Sequence, residues 1–183
     1  MTIVRDNKAH GVFQCEFRPM LQMDKMALSE QAIKIRDVPN AGGNSVVSEV
    51  LSYEMMKSCF GATLLKTEME VEYFPEGGSI TDYTCSMFGS TLGVSVTRAM
   101  NFRGEFTHED AIRLLNKKLK GILQSSNNTM ETWAKQILHV WATSNHVANV
   151  LIRAYDVIDE HVKSNTVVLV TVAHQAEEIF ANK

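Results

Sequence analysis

The sequence predicts a mixed α/β fold in which helices pack on a central sheet with both parallel and antiparallel strands. From Ser45 onward, apolar residues recur at helical spacing in three stretches and form five strand-like runs. Three of those runs follow one another across short turns, which is typical of an antiparallel meander. The later runs alternate with helices, so the sheet is expected to be mixed.

Length and composition are those of a globular chain. Its 183 residues fit one compact domain, 1–183, and 45% of them are hydrophobic. The formal net charge is −3, which argues against a strongly basic, non-specific nucleic-acid binder. A local basic patch remains compatible with that balance.

Targeting signals are missing from the sequence as given. There is no apolar run long enough to span a bilayer, and the first residues lack the apolar core of a secretory signal. The three cysteines are widely spaced and odd in number, so we interpret them as small buried thiols. We therefore expect an intracellular, reducing location, cytoplasmic or nuclear, and no membrane partner.

The region 1–44 is predicted to be an N-terminal extension of the core. Val12–Phe17 could form a short strand, and the stretch Met20–Arg36 has partly helical spacing. A loop is expected over 40–45, because the sequence there is Asn-Ala-Gly-Gly-Asn-Ser.

The region 45–143 shows the clearest pattern. A helix is predicted from Ser45 to about Gly61, where a glycine suits the C-terminal cap. Strict alternation predicts a strand over Leu64–Tyr73 with one exposed face. Three more strands are predicted in this region: Ile80–Phe88, Leu92–Ala99 and Lys135–Ala142.

Helices are also predicted between and after these strands. Thr107 is a suitable N-cap for a helix ending near 125–128, with Glu109 and Asp110 favoured by the helix dipole in its first turn. The region 144–183 should complete the sheet. A helix begins near Ser144 and has a clean apolar stripe, and the β-branched run 166–172 reads as a buried strand.

This order of elements resembles the core of the PD-(D/E)XK, or restriction-endonuclease-like, nucleases. In that superfamily a helix glutamate, a strand aspartate and a Glu/Asp-x-Lys triplet on the next strand bind one or two divalent metals. The corresponding stretches here are Ser48-Glu49, Gly78-Ser-Ile-Thr-Asp82 and Ser95-Val-Thr97-Arg98. The match covers roughly residues 45–143 and implies Glu49 and Asp82 as ligands of Mg²⁺ or Mn²⁺.

The sequence departs from the family triplet at two positions. Ser95 stands where a second carboxylate is expected, and Thr97 stands where a lysine is expected. The resemblance then implies that Ser95 and Thr97 orient water or phosphate, while Arg98 stabilises the anionic transition state. Alternation places Arg98 on the opposite face of the strand unless a bulge redirects it.

Each candidate residue also has a purely structural interpretation. Asp82 could hydrogen-bond a turn, and Glu49 could be a solvated helix residue. The acidic row Glu68, Glu70 and Glu72 reads as a solvated face, although Glu70 or Glu72 could replace the missing carboxylate. A basic helix surface is either solvated or a nucleic-acid contact; its residues are Arg113, Lys117, Lys118 and Lys120.

Three hypotheses for function follow from the sequence. The first is a metal-dependent nuclease acting on nucleic-acid phosphodiesters, in which the metal activates water. The second is a non-catalytic relative of that fold that binds nucleic acid or a protein partner. The third is an unrelated α/β interaction domain, and a homodimer fits any of the three.

Overall fold

A computed structural model describes residues 2–41, 45–101 and 104–181, although nothing is stated of the Thr2 side chain. The helices in chain order are α1 (Thr2–Arg5), α2 (Glu30–Asp37), α3 (Val46–Phe60), α4 (His108–Asn128), α5 (Asn145–Asp156) and α6 (Glu160–Lys163). The strands are β1 (Gly11–Phe17), β2 (Thr63–Thr67), β3 (Tyr83–Met87), β4 (Ser90–Ala99), β5 (Lys135–Ala142) and β6 (Val167–Ala173).

The strands form one six-stranded mixed sheet in the order β1-β6-β5-β4-β3-β2. Strands β2, β3 and β4 are antiparallel neighbours, as the short turns between them require. The pairs β4–β5, β5–β6 and β6–β1 are parallel. The predicted mixed sheet is therefore confirmed, and β1 occupies an edge beside the last strand.

Helices cover both faces of this sheet. Helix α3 lies on one face, where Leu51 and Met56 pack with Val94 and Trp141. Helices α4 and α5 lie on the other, where Leu115 and Leu151 belong to a second buried cluster. Successive residues of β4 consequently point into different layers, which later determines what each can contact.

Local sequence signals account for the ends of several helices. The side chains of Ser29, Thr107 and Ser144 each accept a backbone N–H at the start of α2, α4 and α5. Thr107 and Asp110 form a reciprocal capping box. Gly61 ends α3 in the left-handed conformation at φ 67°, as the predicted C-cap requires.

A chain of hydrogen bonds crosses the α3 face of the sheet. The imidazole of His139 lies 2.7 Å from the Ser52 hydroxyl and 2.8 Å from the Thr171 hydroxyl. Ser52 continues to the Tyr83 hydroxyl at 2.9 Å, and Thr171 continues to the Cys15 sulfur at 3.0 Å. We call these five residues the His139 chain. Burial lowers the pKa of His139 to about 3, so the ring is neutral.

A buried lysine holds the first residues of the chain against the sheet. Lys135 is 2% exposed, and its ammonium group donates to the carbonyl groups of Ile3, Asp6 and Ala9 at 2.6, 2.6 and 2.7 Å. The charge is thus surrounded by oxygen dipoles instead of water.

Three expectations were wrong in detail. The strand predicted over Ile80–Phe88 spans Tyr83–Met87, so Asp82 lies just before it. The strand predicted over Leu64–Tyr73 ends at Thr67, because Thr67 and Glu70 form a capping box that starts a 3₁₀ turn over Glu68–Glu70. Of the cysteines, Cys85 is buried and Cys15 partly buried, but Cys59 is exposed, and all three are free thiols.

Other predictions lie partly outside the described residues. The loop predicted over 40–45 includes residues 42–44, and the stretch after β4 includes residues 102 and 103; neither segment is described. Among the helices that are described, none combines the length and the apolar character needed to cross a bilayer.

Candidate functional site

A cavity opens beside β4, just beyond its pairing with β3. Tyr83, the first residue of β3, pairs with Val94, and β4 continues past this pair from Ser95 to Ala99. Helices α3 and α4 flank this segment from opposite layers. The cavity measures about 600 Å³. Its lining includes all five residues that the resemblance selected: Glu49, Asp82, Ser95, Thr97 and Arg98.

Asp82 lies at the end of the paired region and bonds across to β4. Its Oδ2 accepts the N–H of Val96 at 2.5 Å, a donor that lies beyond the paired part of β4. Burial, reinforced by repulsion from Glu49, raises the pKa of Asp82 to about 8; the Val96 N–H and the Lys118 charge oppose that rise. The structural interpretation was that Asp82 hydrogen-bonds a turn. Its Oδ2 instead accepts from the backbone of strand β4.

Glu49 approaches the same cavity from the first turn of α3. It is 7% exposed, and its Oε1 accepts the Ser45 hydroxyl at 2.6 Å. The interpretation of Glu49 as a solvated helix residue was therefore wrong. Burial raises the pKa of Glu49, the Ser45 hydroxyl lowers it, and the charges of Glu68 and Lys118 act in opposite directions.

Ser95 belongs to a buried polar cluster behind the cavity. Its hydroxyl donates to Gln136 Oε1 at 3.3 Å, and the hydroxyl of Thr81 donates to the same oxygen at 3.2 Å. Gln136 reaches them because position 93 is glycine: a Cβ on Gly93 would lie 2.9 Å from the Gln136 side chain. Ser95 thus fills the expected carboxylate position with a hydrogen-bonded hydroxyl.

Thr97 and Arg98 line the cavity from different layers. The register with β5 runs unbroken through both residues, pairing Thr97 with Val140 and Arg98 with Trp141. No bulge redirects Arg98. It lines the cavity all the same, together with Ser95 and Thr97 from the other face of β4.

The predicted basic surface of α4 is divided between this cavity and its surroundings. Lys117 and Lys118 line the cavity itself. Lys118 acts electrostatically on both Glu49 and Asp82. Arg113 and Lys120 line two neighbouring grooves instead, one on each side.

Glu68 is the residue that the sequence pattern assigned incorrectly. It was expected on a solvated strand face, but the 3₁₀ turn places it in the cavity lining. Glu70 binds Lys34 at 2.7 Å and is not among the lining residues, and neither is the exposed Glu72. The capping pattern Thr67-x-x-Glu70 was the signal that could have found this turn.

The lining carboxylates are Glu49, Glu68 and Asp82, which offer the oxygen ligands that Mg²⁺ and Mn²⁺ prefer. Across residues 2–41, 45–101 and 104–181, however, no three acidic, histidine or cysteine side chains come together closely enough to hold a metal. The carboxylate oxygens are thus of the chemical type that a hard cation prefers, but these described side chains do not form a ready cluster around one.

Comparison with known proteins gives one informative match and two negative results. The chain is similar to the "AAC-rich mRNA clone AAC4 protein" of Dictyostelium discoideum, at 40% identity over 186 residues. That match takes in 97% of this chain but 27% of the relative, so the chain spans about a quarter of its length. No family model matches the sequence. No solved structure matches it either.

Proposed function

We propose that this domain binds a nucleic-acid phosphodiester in the cavity and hydrolyses it with the help of a divalent cation. One observation carries the proposal. Glu49, Asp82, Ser95, Thr97 and Arg98, selected from three separate elements by the family resemblance, line one cavity. The order helix α3, antiparallel β2-β3-β4, helix α4 and parallel β5 also agrees with the restriction-endonuclease-like core that the resemblance implies.

The charge arrangement supports cation binding. Glu49 and Asp82 repel each other in a site removed from water, and Glu68 adds to the negative potential at both. Mg²⁺ or Mn²⁺ would be held by Glu49 and Asp82, with Glu68 near enough to act on both. When bound, such an ion lowers the pKa of a coordinated water and neutralises charge that develops on phosphate.

The cationic side chains would act on the phosphate. Lys118 takes the role that the family assigns to the triplet lysine, since Thr97 has no charge and Lys118 already acts on both carboxylates. Arg98 reaches the cavity from the other layer, and a guanidinium group matches phosphate oxygens geometrically. Ser95 and Thr97 provide hydroxyl groups that orient water or a phosphate oxygen.

A second candidate is non-catalytic binding of nucleic acid or of a protein partner. It is favoured by Ser95 and Thr97 in place of the triplet carboxylate and lysine. It is favoured too by the lack of any three-ligand metal cluster in the part of the chain that the structure describes.

The test combines a binding and a cleavage measurement. Purified chain is titrated with Mn²⁺ and Mg²⁺ by calorimetry and incubated with single- and double-stranded DNA and RNA. We expect Asp82→Asn to abolish metal binding and to reduce cleavage at least ~100-fold, because it removes a charged ligand that the proposal places on the ion. Asp156→Asn, an exposed aspartate at the end of α5, is the matched control and should change neither.

The outcomes separate the two candidates. Cleavage that is insensitive to Asp82→Asn, or that needs no divalent ion, would contradict the proposed site. Nucleic-acid binding without any cleavage by the unmodified chain would favour the second candidate.

A further inference from the structure

The cavity is the middle section of a longer groove that follows α4. One neighbouring groove, of about 740 Å³, shares Ser79, Lys117 and Gly121 with the cavity. The other, of about 440 Å³, shares Arg98, Met100 and Lys117 with it. Lys117 therefore lines all three spaces, and they adjoin one another along a single helix.

The groove residues on α4 form one stripe. Arg113, Lys117, Lys120 and Gln124 follow at intervals of four, three and four residues, which places them on the same face of the helix. All four are exposed. The stripe continues to Asn128 at the end of α4. With a rise of ~1.5 Å per residue, the distance from 113 to 128 is about 22 Å.

Charge is distributed unevenly along this groove. The middle section contains the three carboxylates Glu49, Glu68 and Asp82. Among the described residues, the section toward Asn128 has no acidic lining residue and offers Lys120 with the amides Gln124, Asn127 and Asn128. The section toward the start of α4 has one acid, Asp110, which is already paired with Arg113 and also caps the helix.

Such a layout suits a linear polyanion better than a small anion. Backbone phosphates lying in the two outer sections would meet ammonium, guanidinium and amide donors. The phosphodiester between them would lie over the carboxylates, where only an added cation offsets the repulsion. At ~3.4 Å per nucleotide, the spacing of a stacked strand as in B-form DNA, a groove of this length accommodates about six nucleotides.

Building on the proposed function, we propose that one nucleic-acid strand lies along α4 through all three sections, with outlets past Arg113 and past Lys120. A strand in this position enters the groove at one end and leaves it at the other. The cavity then binds a phosphodiester within the strand, and the strand needs no free terminus. The substrate class is thus an internal stretch of about six nucleotides of single strand.

Salt dependence measures how many phosphates are contacted. Binding of oligothymidylates of 2 to 20 nucleotides is measured by fluorescence anisotropy between 50 and 300 mM salt, with Ca²⁺, which takes the same oxygen ligands, in place of Mg²⁺ or Mn²⁺ to suppress cleavage. We expect the salt slope to steepen up to about six nucleotides and then to stay constant. Arg113→Gln and Lys120→Gln should each reduce the slope by ~0.7, the value for one phosphate contact on a single strand. Arg153→Gln on α5, an exposed arginine outside the groove, should leave it unchanged.

A circular substrate tests the requirement for ends. We expect a 30-nucleotide circle to bind within twofold of its linear form and, with Mn²⁺, to be opened by the unmodified chain. Two results would contradict the proposed path of the strand: binding or cleavage of the linear form alone, or a salt slope that neither Gln variant changes. Either result would leave the proposal of metal-dependent hydrolysis in the cavity standing. Absence of binding and cleavage for every oligonucleotide would overturn both proposals.

Discussion

The core of this protein contains two polar regions that are built in opposite ways. In the His139 chain, each ring nitrogen of His139 has a hydroxyl partner, and the ring carries no charge. In the cavity, the carboxyl groups of Glu49 and Asp82 act on each other, and the pKa of each is raised, so each resists carrying a charge. The His139 chain lies between α3 and the sheet, and the cavity lies beside β4 and is also lined by α3. Because both regions adjoin α3, the contrast between them comes from their residues and not from their position.

The contrast indicates which region serves the fold and which serves a ligand. Buried polar groups that satisfy one another contribute to stability and specify the packing. Buried carboxylates that repel one another reduce stability, and such an arrangement is typical of functional sites. Substitutions in the two regions should consequently have opposite effects on the free energy of unfolding.

The largest effect is expected in the His139 chain. His139→Leu removes both ring hydrogen bonds and should lower the free energy of unfolding by about 2–3 kcal/mol at pH 7, because hydroxyls of Ser52 and Thr171 lose a buried partner. Urea unfolding followed by circular dichroism measures this.

The cost of that substitution should depend on pH. Folded His139 has a depressed pKa, about 3, so the unfolded chain binds the proton more readily and stability falls as pH drops from about 6.5 toward 3. The leucine variant has no group that titrates at this position, so the difference between its free energy of unfolding and that of the unmodified chain should shrink in acid. A deficit below about 0.5 kcal/mol at pH 7 would mean that the His139 chain is not stabilising.

An intermediate effect of opposite sign is expected at Asp82. Its folded pKa is raised, so the folded chain binds the proton more tightly and stability decreases as pH rises from about 4 to about 8. Asp82→Asn keeps an oxygen for the Val96 N–H without the charge. It should raise the free energy of unfolding by about 1–3 kcal/mol at pH 9.

The same variant provides its own control at low pH. At pH 4 and below, Asp82 is protonated in the folded chain, and most of the gain should vanish. Denaturant unfolding at both pH values measures the difference. Destabilisation by Asp82→Asn at pH 9 would show that the charged carboxylate is a structural group, like those in the His139 chain.

The smallest effect concerns the coupling between the two carboxylates. Glu49→Gln removes the charge that repels Asp82, so the pKa of Asp82 should fall by about 1. Carbon-13 NMR titration of the aspartate carboxyl groups measures it. Glu30→Gln, an exposed residue of α2, is the matched control. An unchanged Asp82 pKa in the Glu49 variant would mean that burial, with the charge of Glu68, causes the rise without Glu49.

Much of the fold was predictable because periodicity reflects burial. The strand Lys135–Ala142 was predicted with its exact bounds, since it is buried throughout. The 3₁₀ turn after Thr67 was missed, because Glu68, Glu70 and Glu72 alternate as they would in a strand while capping bonds decide otherwise. The position of β1 beside β6 was not predictable either, because pairing across some 155 residues leaves no local signal.

Some residues of the candidate site could be predicted from the sequence, and others could not. Asp82, Ser95 and Thr97 could be placed on one side of a hairpin from alternation alone. That Arg98 lines the same cavity could not be predicted, because it depends on how far the pairing of β3 extends along β4, and β3 begins only at Tyr83. Lys118 is one of several basic residues on its helix, and only the packing of α4 brings it near the carboxylates.

The edge position of β1 has a consequence for synthesis on the ribosome. Residues 11–17 leave the ribosome well before their partner strand, residues 167–173, and α1 is held by the ammonium group of Lys135. Strand β1 must wait for its partner while about 150 further residues are translated. During that interval its backbone and the apolar Phe13 are open to association with other chains.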